Sequence, residues 1–193
     1  MADYKIISET SKVILEMFQN KLCENNHPVM PENVKFITPS DTSVDYHVGL
    51  YLYDIRELVG YQRTAPIIDG TTRTYPPRIL ELYFMLFINP KAQNKIEADT
   101  EHDIFGRALQ IIYDAGILKL PKSTDSLTPE DEVEFSVSFV NQTFDDKVKI
   151  WSAFQSPYRM TACFMVAPVL LPSRRVDTIS RVTDAKVTTK QNA

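Results

Sequence analysis

The chain has 193 residues, 44% hydrophobic and 24% charged, with a formal net charge of −4. A single domain of that length buries roughly 70% of its unfolded surface and needs no disulfide or metal staple. No apolar stretch approaches the roughly 20 residues of a bilayer span. The opening Met1-Ala2-Asp3-Tyr4-Lys5 has neither the basic start nor the apolar run of a signal peptide, so neither membrane insertion nor signal-directed export is expected.

From Tyr4 to Cys23, Ile7, Ile14, Phe18 and Leu22 recur at spacings of seven, four and four, with Ile6, Val13 and Met17 widening the stripe. That pattern predicts an amphipathic helix packed on a sheet. Asn25-Asn26-His27-Pro28 ends it, and a short strand is expected over Val34 to Thr38. Two long strands follow, about His47 to Val59 and Arg78 to Asn89. In the second, Leu80, Leu82, Phe84, Leu86 and Ile88 line one face while Tyr83, Met85 and Phe87 line the other. A strand apolar on both faces must be covered on both sides. Between them, Gly60 to Pro77 reads as a long loop carrying Arg63 and Arg73, of a length that either works or is disordered, with no phosphate-cradling glycine pattern.

Thr100 reads as the N-cap of a second helix, with Asp103 at N3, Ile104, Ala108, Ile111 and Ala115 as its buried stripe and Gly116 just beyond its end. Its Glu101 and Asp103 flank His102 but are better explained as favouring the helix dipole. Pro121 to Asp131 is a polar loop. Val133, Phe135, Val137 and Phe139 then alternate with polar residues as a half-solvated strand. Thr143 opens a third helix with Phe144, Val148 and Trp151 facing inward. The last long strand runs from Arg159 to Leu171, where Pro168 calls for an edge or a bulge.

No chemistry stands out along the way. His27, His47 and His102 lie far apart without cysteines at metal-ligand spacing, and no nucleophile elbow occurs. Cys23 and Cys163, each in an apolar pattern, are expected as free thiols in a reducing cytoplasm. No catalytic residue, cofactor, metal or small-molecule substrate is expected.

The charge is uneven. Pro172 to Ala193 carries Arg174, Arg175, Arg181, Lys186 and Lys190 against Asp177 and Asp184, a net of +3 that leaves −7 on the preceding body. Val176, Ile179 and Val182 help to make this segment β-branched and too sparsely apolar for a core. It is expected to be a basic, extended C-terminal arm over 172–193, following a domain over 1–171. Such an arm can reach an acidic protein surface or nucleic acid, though without interleaved aromatics the nucleic-acid signal is weak, and it reads equally as a disordered terminus with no partner.

Several blocks match a known family in order. They are the N-terminal helix, Pro39-Ser40-Asp41, Leu50-Tyr51-Leu52-Tyr53-Asp54-Ile55, Pro76-Pro77 leading to Leu82-Tyr83-Phe84, the helix from Glu101 through Gly106 to Asp114, and Ile150-Trp151-Ser152-Ala153 followed by Pro157-Tyr158-Arg159. With these the chain resembles the tail-terminator (cap) proteins of extracellular contractile injection systems of the antifeeding-prophage type, which are phage-tail-like particles. Phe105 stands where that family often has a bulky aliphatic residue, and the tail after Pro172 is less clearly matched.

The resemblance implies an α+β fold, a mostly antiparallel sheet with an N-terminal helix and two further helices packed on it. It also implies a six-fold ring at the baseplate-distal end of the particle, ending tube and sheath polymerisation and anchoring the last sheath ring. Its partners would be itself, as a homohexamer, and the sheath and inner-tube proteins. It would assemble in the cytoplasm into a particle that is released or membrane-attached. Arg63, Arg73, Arg174, Arg175, Val176, Ile179, Arg181 and Val182 are the candidate partner contacts. Two alternatives stay open: another tube-, sheath- or baseplate-associated subunit, and a small nucleic-acid-binding protein that uses the basic tail.

Overall fold

The computed structural model describes residues 4–24, 29–41, 43–58, 60, 65–92, 97–120 and 134–179. The Asn25–Pro28 turn, the loop over 121–131 and Val133 lie outside them, as does most of the C-terminal arm. Three helices, α1 (Ile6–Leu22), α2 (Ala98–Asp114) and α3 (Phe144–Ala153), flank a six-stranded sheet. Its strands run in the order β1 (Val34–Phe36), β2 (Val48–Glu57), β5 (Arg78–Ile88), β8 (Thr161–Leu171), β7 (Glu134–Phe139) and β6 (Ile117–Lys119). Only β1 and β2 are parallel; every other neighbouring pair is antiparallel. The α+β architecture expected from the sequence is the one observed. Three short strands, β3 (Ile67–Asp69), β4 (Thr72–Thr74) and β9 (Val176–Thr178), form a second sheet.

The two-sided apolar pattern of β5 accounts for the layering. On one face Leu82, Phe84, Leu86 and Ile88 join Ile14, Phe18 and Leu22 of α1 and Ile104, Ala108 and Ile111 of α2 in the larger core. On the other face Met85 and Phe87 meet Ile37, Tyr46, Cys163 and Trp151 of α3 in a smaller one. The helices therefore divide between the faces, α1 and α2 against α3. Phe84 sits stacked on Phe164, their centroids 5.4 Å apart, at the centre of the larger core. Arg107 of α2 ties its helix to the end of α1, donating to the Lys21 carbonyl at 3.2 Å and to Glu24 at 3.1 Å.

Several local expectations are corrected. α2 begins at Ala98 with Glu97 as its N-cap and no side-chain capping bond, so Thr100 lies inside the first turn, its amide donating to the adjacent Asp99 carboxylate at 2.8 Å. At α3 the expected cap is present, the Thr143 hydroxyl accepting from the Asp146 amide at 3.2 Å. Phe144, though, is 63% exposed and packs on Tyr158, while Trp151 is 1% exposed. Phe144 is the first residue of a helix of ten, so its side chain falls beyond the sheet that Trp151 covers. Pro168 meets its expectation, since β8 is an inner strand and carries the bulge rather than an edge: Leu80 faces Val169 while Leu82 faces Val166. The expected Gly60–Pro77 loop contains the β3–β4 hairpin, closed at Gly70 with a φ of 59°. The three-residue strand β6 was not anticipated at all.

Candidate functional site

Among the described residues no three His, Cys, Asp or Glu side chains gather as a metal-ligating group. His47 is buried at the head of β2 and His102 is exposed on the first turn of α2. Both cysteines are free thiols. Burial pushes the Cys163 thiol up, and burial, with Glu32 second, does the same to Cys23. A thiol held protonated is a poor nucleophile. Two concavities are lined by described residues. One, of about 500 Å³, is walled by Tyr4, Ile7, Phe36 and Leu52 between α1 and the β1–β2 edge. The other, of about 250 Å³, is bordered by Asp41, Tyr46, Lys91 and Arg159. Arg159 stacks over Trp151 at 5.3 Å, and its buried Nε and Nη1 have no hydrogen-bond partner among the described residues.

The candidate partner residues converge on the second sheet. Arg73 lies on β4, Val176 on β9 and Arg174 and Arg175 just before it, while the Ile179 amide donates to the Thr71 carbonyl at 2.8 Å. Arg63, Arg181 and Val182 lie outside the described residues. β9 pairs with β4 so that Arg73 faces Asp177 and Thr74 faces Val176. The first part of the arm is thus a strand on this chain's own hairpin.

Side chains reinforce the join. The Tyr75 hydroxyl donates to Asp177 at 2.7 Å, Arg175 donates to the same carboxylate at 3.2 Å, and the Arg73 and Arg175 guanidiniums lie over the Tyr75 ring at 5.4 and 4.4 Å. Arg174 lies over Tyr4 at 5.6 Å, so the arm also touches the start of the described chain. Sequence reasoning did not single out Tyr75, Asp177 or Tyr4. The available signal was the i, i+2 spacing of Arg73 with Tyr75 and of Arg175 with Asp177, which puts each pair on one face of a strand.

This latch is sensitive to pH at both ends. The bond to Asp177 raises the Tyr75 phenol above its ordinary value, and the bonds from Tyr75 and then Arg175 lower the Asp177 carboxyl. A lowered carboxyl contributes stability above its unfolded value, about 3.9, and loses it as pH falls below. A raised phenol contributes stability below its unfolded value, about 10, and loses it as pH climbs past the folded value. Amide exchange on Arg73 and Ile179 should therefore be slowest relative to its intrinsic rate between about pH 5 and 9, with protection falling outside that window. Uniform protection from pH 3 to 11 would show that the Tyr75–Asp177 bond does not hold β9 in place.

The family pattern described as the Pvc16 N-terminal domain matches residues 9–184 of this sequence. The chain belongs to the Pvc16 N-terminal domain family. Its fold is that of the sheath/tube terminator of the extracellular contractile injection system PVC in the extended state, with a TM-score of 0.61 and 16% identity over 97% of this chain. It is similar also to the tube-terminating cap of the anti-feeding prophage, with a TM-score of 0.51 and 12% identity over 93%. This chain spans 64% and 60% of the length of those two proteins. No curated protein matches it. Family and fold agree with the resemblance carried by the sequence blocks.

Within this family member, large apolar side chains remain at the surface in separate places. Ile67, Ile68 and Val176 are exposed on the second sheet, and Leu109, Tyr113 and Ile117 along the end of α2 and β6. Phe144 and Tyr158 are exposed beside α3. Among the described residues no helix is long and apolar enough to cross a membrane.

Proposed function

We propose that this protein is a tail terminator of a contractile injection system, closing as a homohexameric ring on the baseplate-distal end of tube and sheath. The observation that carries the reading is the match to the Pvc16 N-terminal domain over 9–184, supported by a fold shared with a sheath/tube terminator. A stack of subunits stops growing only when its last member offers one matching face and no second, a task for surfaces and arms rather than for a nucleophile. The particle would be extracellular in its final form, after assembly in the cytoplasm.

In this reading the basic arm over 172–193 reaches an adjacent subunit, sheath being the fitting partner, by adding backbone hydrogen bonds to a sheet edge. Its positive charge beside an acidic body favours an acidic partner surface. Because β9 belongs to this chain's own hairpin, the informative truncation falls after Ile179 rather than after Leu171. Particles assembled with the truncated chain should have caps that dissociate at lower salt and sheaths of less uniform length. Unchanged length distribution and salt resistance would remove the arm from the mechanism. Electron micrographs of particles made without the chain test the main reading: tubes and sheaths of unregulated length are expected, and normal lengths would overturn it.

A further inference from the structure

The three-stranded sheet has no core. None of its nine strand residues is buried, although Ile68 is 56% exposed on one face and Val176 60% on the other. A small sheet normally needs a hydrophobic face covered by something else. Its register puts Ile68, Arg73 and Asp177 in one cross-strand row, and alternation adds Tyr75 and Arg175 to the same face. That face combines an exposed isoleucine with two guanidiniums on a tyrosine, against one carboxylate.

A second unpartnered surface has the opposite sign. Along the exposed side of α2 run Asp99, Asp103, Gly106, Leu109, Tyr113 and Asp114. The whole helix carries Asp99, Glu101, Asp103 and Asp114 against Arg107 alone. Tyr113 is 90% exposed and Leu109 40%, so the stripe is apolar as well as acidic. Glycine inside a helix is unfavourable, and a Cβ at Gly106 would meet nothing within 4 Å among the described residues. Its bare backbone leaves a shallow gap in the stripe where another backbone can approach closely.

The charges, the two apolar sets and the gap at Gly106 are complementary, and the surfaces belong to different elements. We infer that the Ile68–Arg73–Arg175 face of one copy seats on the Asp103–Gly106–Tyr113 stripe of α2 in the next copy, a head-to-tail contact between copies of this chain. This inference rests on the ring reading above and specifies which faces make the ring. A heterologous contact of this kind closes into a ring when its rotation closes. Opposite charge on the two faces sets the order of addition and disfavours like faces meeting.

The test uses two full-length variants. Ile68→Asp sets a carboxylate against the acidic stripe. Gly106→Trp fills the gap with a bulky side chain on an exposed position of α2. Both should keep the wild-type circular dichroism spectrum and run as monomers under conditions where the wild type forms rings. An equimolar mixture leaves one undamaged contact, the sheet of Gly106→Trp on the helix of Ile68→Asp, and should give a two-chain complex and nothing larger. Rings from either variant alone, with rings also from the wild type, would overturn the pairing and leave the terminator reading standing. A mixture that stays monomeric would overturn the head-to-tail arrangement of these two faces. A wild type that stays monomeric even with tube and sheath present would remove the ring and this inference together.

Discussion

Trp151→Ala should destabilise the protein by about 3–5 kcal/mol, the range for deleting a large buried aromatic side chain. Trp151 is enclosed on every side: Phe87 meets its ring edge-on at 5.4 Å, Arg159 covers it at 5.3 Å, and its indole Nε1 donates to the buried Thr161 hydroxyl at 2.8 Å. That hydroxyl in turn donates to the Arg159 carbonyl at 2.8 Å. Truncation therefore opens a cavity in the smaller core and removes the anchor of α3 at the same time. With a urea slope of about 1–3 kcal/mol per M, the midpoint should fall by 1 M or more. Unfolding must be followed by circular dichroism, because this is the only tryptophan. Trp151→Phe should recover much of the loss by refilling the space, but not the bond to Thr161. Full stability in Trp151→Ala with loss of particle binding would mean that the residue serves a surface and not the core.

What was legible in the sequence follows from the length scale of each interaction. β5 announced its place because eleven residues apolar on both faces have only one comfortable site, the middle of a sheet covered on each side. The stripes of α1 and α2 were legible for the same reason, each repeating over several turns. The second sheet was not. Its strands have three residues each and no buried position, too short for a period to register. Its strands are joined by contacts far apart in the chain, such as that of Tyr75 with Asp177, 102 residues apart. The start of α2 was misplaced because a residue able to cap need not do so: the N-cap is Glu97, whose side chain makes no capping bond, and Thr100 lies inside the first turn. Of the candidate partner residues, Arg73, Arg174, Arg175, Val176 and Ile179 do gather on or beside one small sheet. Tyr75, which organises them, was indistinguishable in the chain from any loop tyrosine.

Gly49→Ala is expected to destabilise the smaller core through one methyl group. Gly49 of β2 faces Phe87 of β5 in register, and a Cβ built there would lie 2.4 Å from the Phe87 Cζ and 2.6 Å from its Cε2. Two effects oppose each other. Replacing glycine inside a strand recovers roughly 0.5–1 kcal/mol of backbone entropy and propensity. Forcing an added carbon into a packed core costs typically about 1–3 kcal/mol. The second wins only if the ring cannot yield, and here it has nowhere to go: Phe87 is fully buried, with Trp151 at 5.4 Å and Tyr46 at 6.1 Å, both edge-on. The ring in effect occupies the space that a side chain at position 49 would use. The expected net loss is therefore about 1–2 kcal/mol. A double-mutant cycle separates this from any intrinsic preference of the strand. Phe87→Leu alone opens space beside Gly49, and in that background the added methyl should become neutral or stabilising, with a coupling of about 0.5–3 kcal/mol. Equal losses from Gly49→Ala in both backgrounds would show that the ring moves freely and that the glycine is retained for its backbone instead.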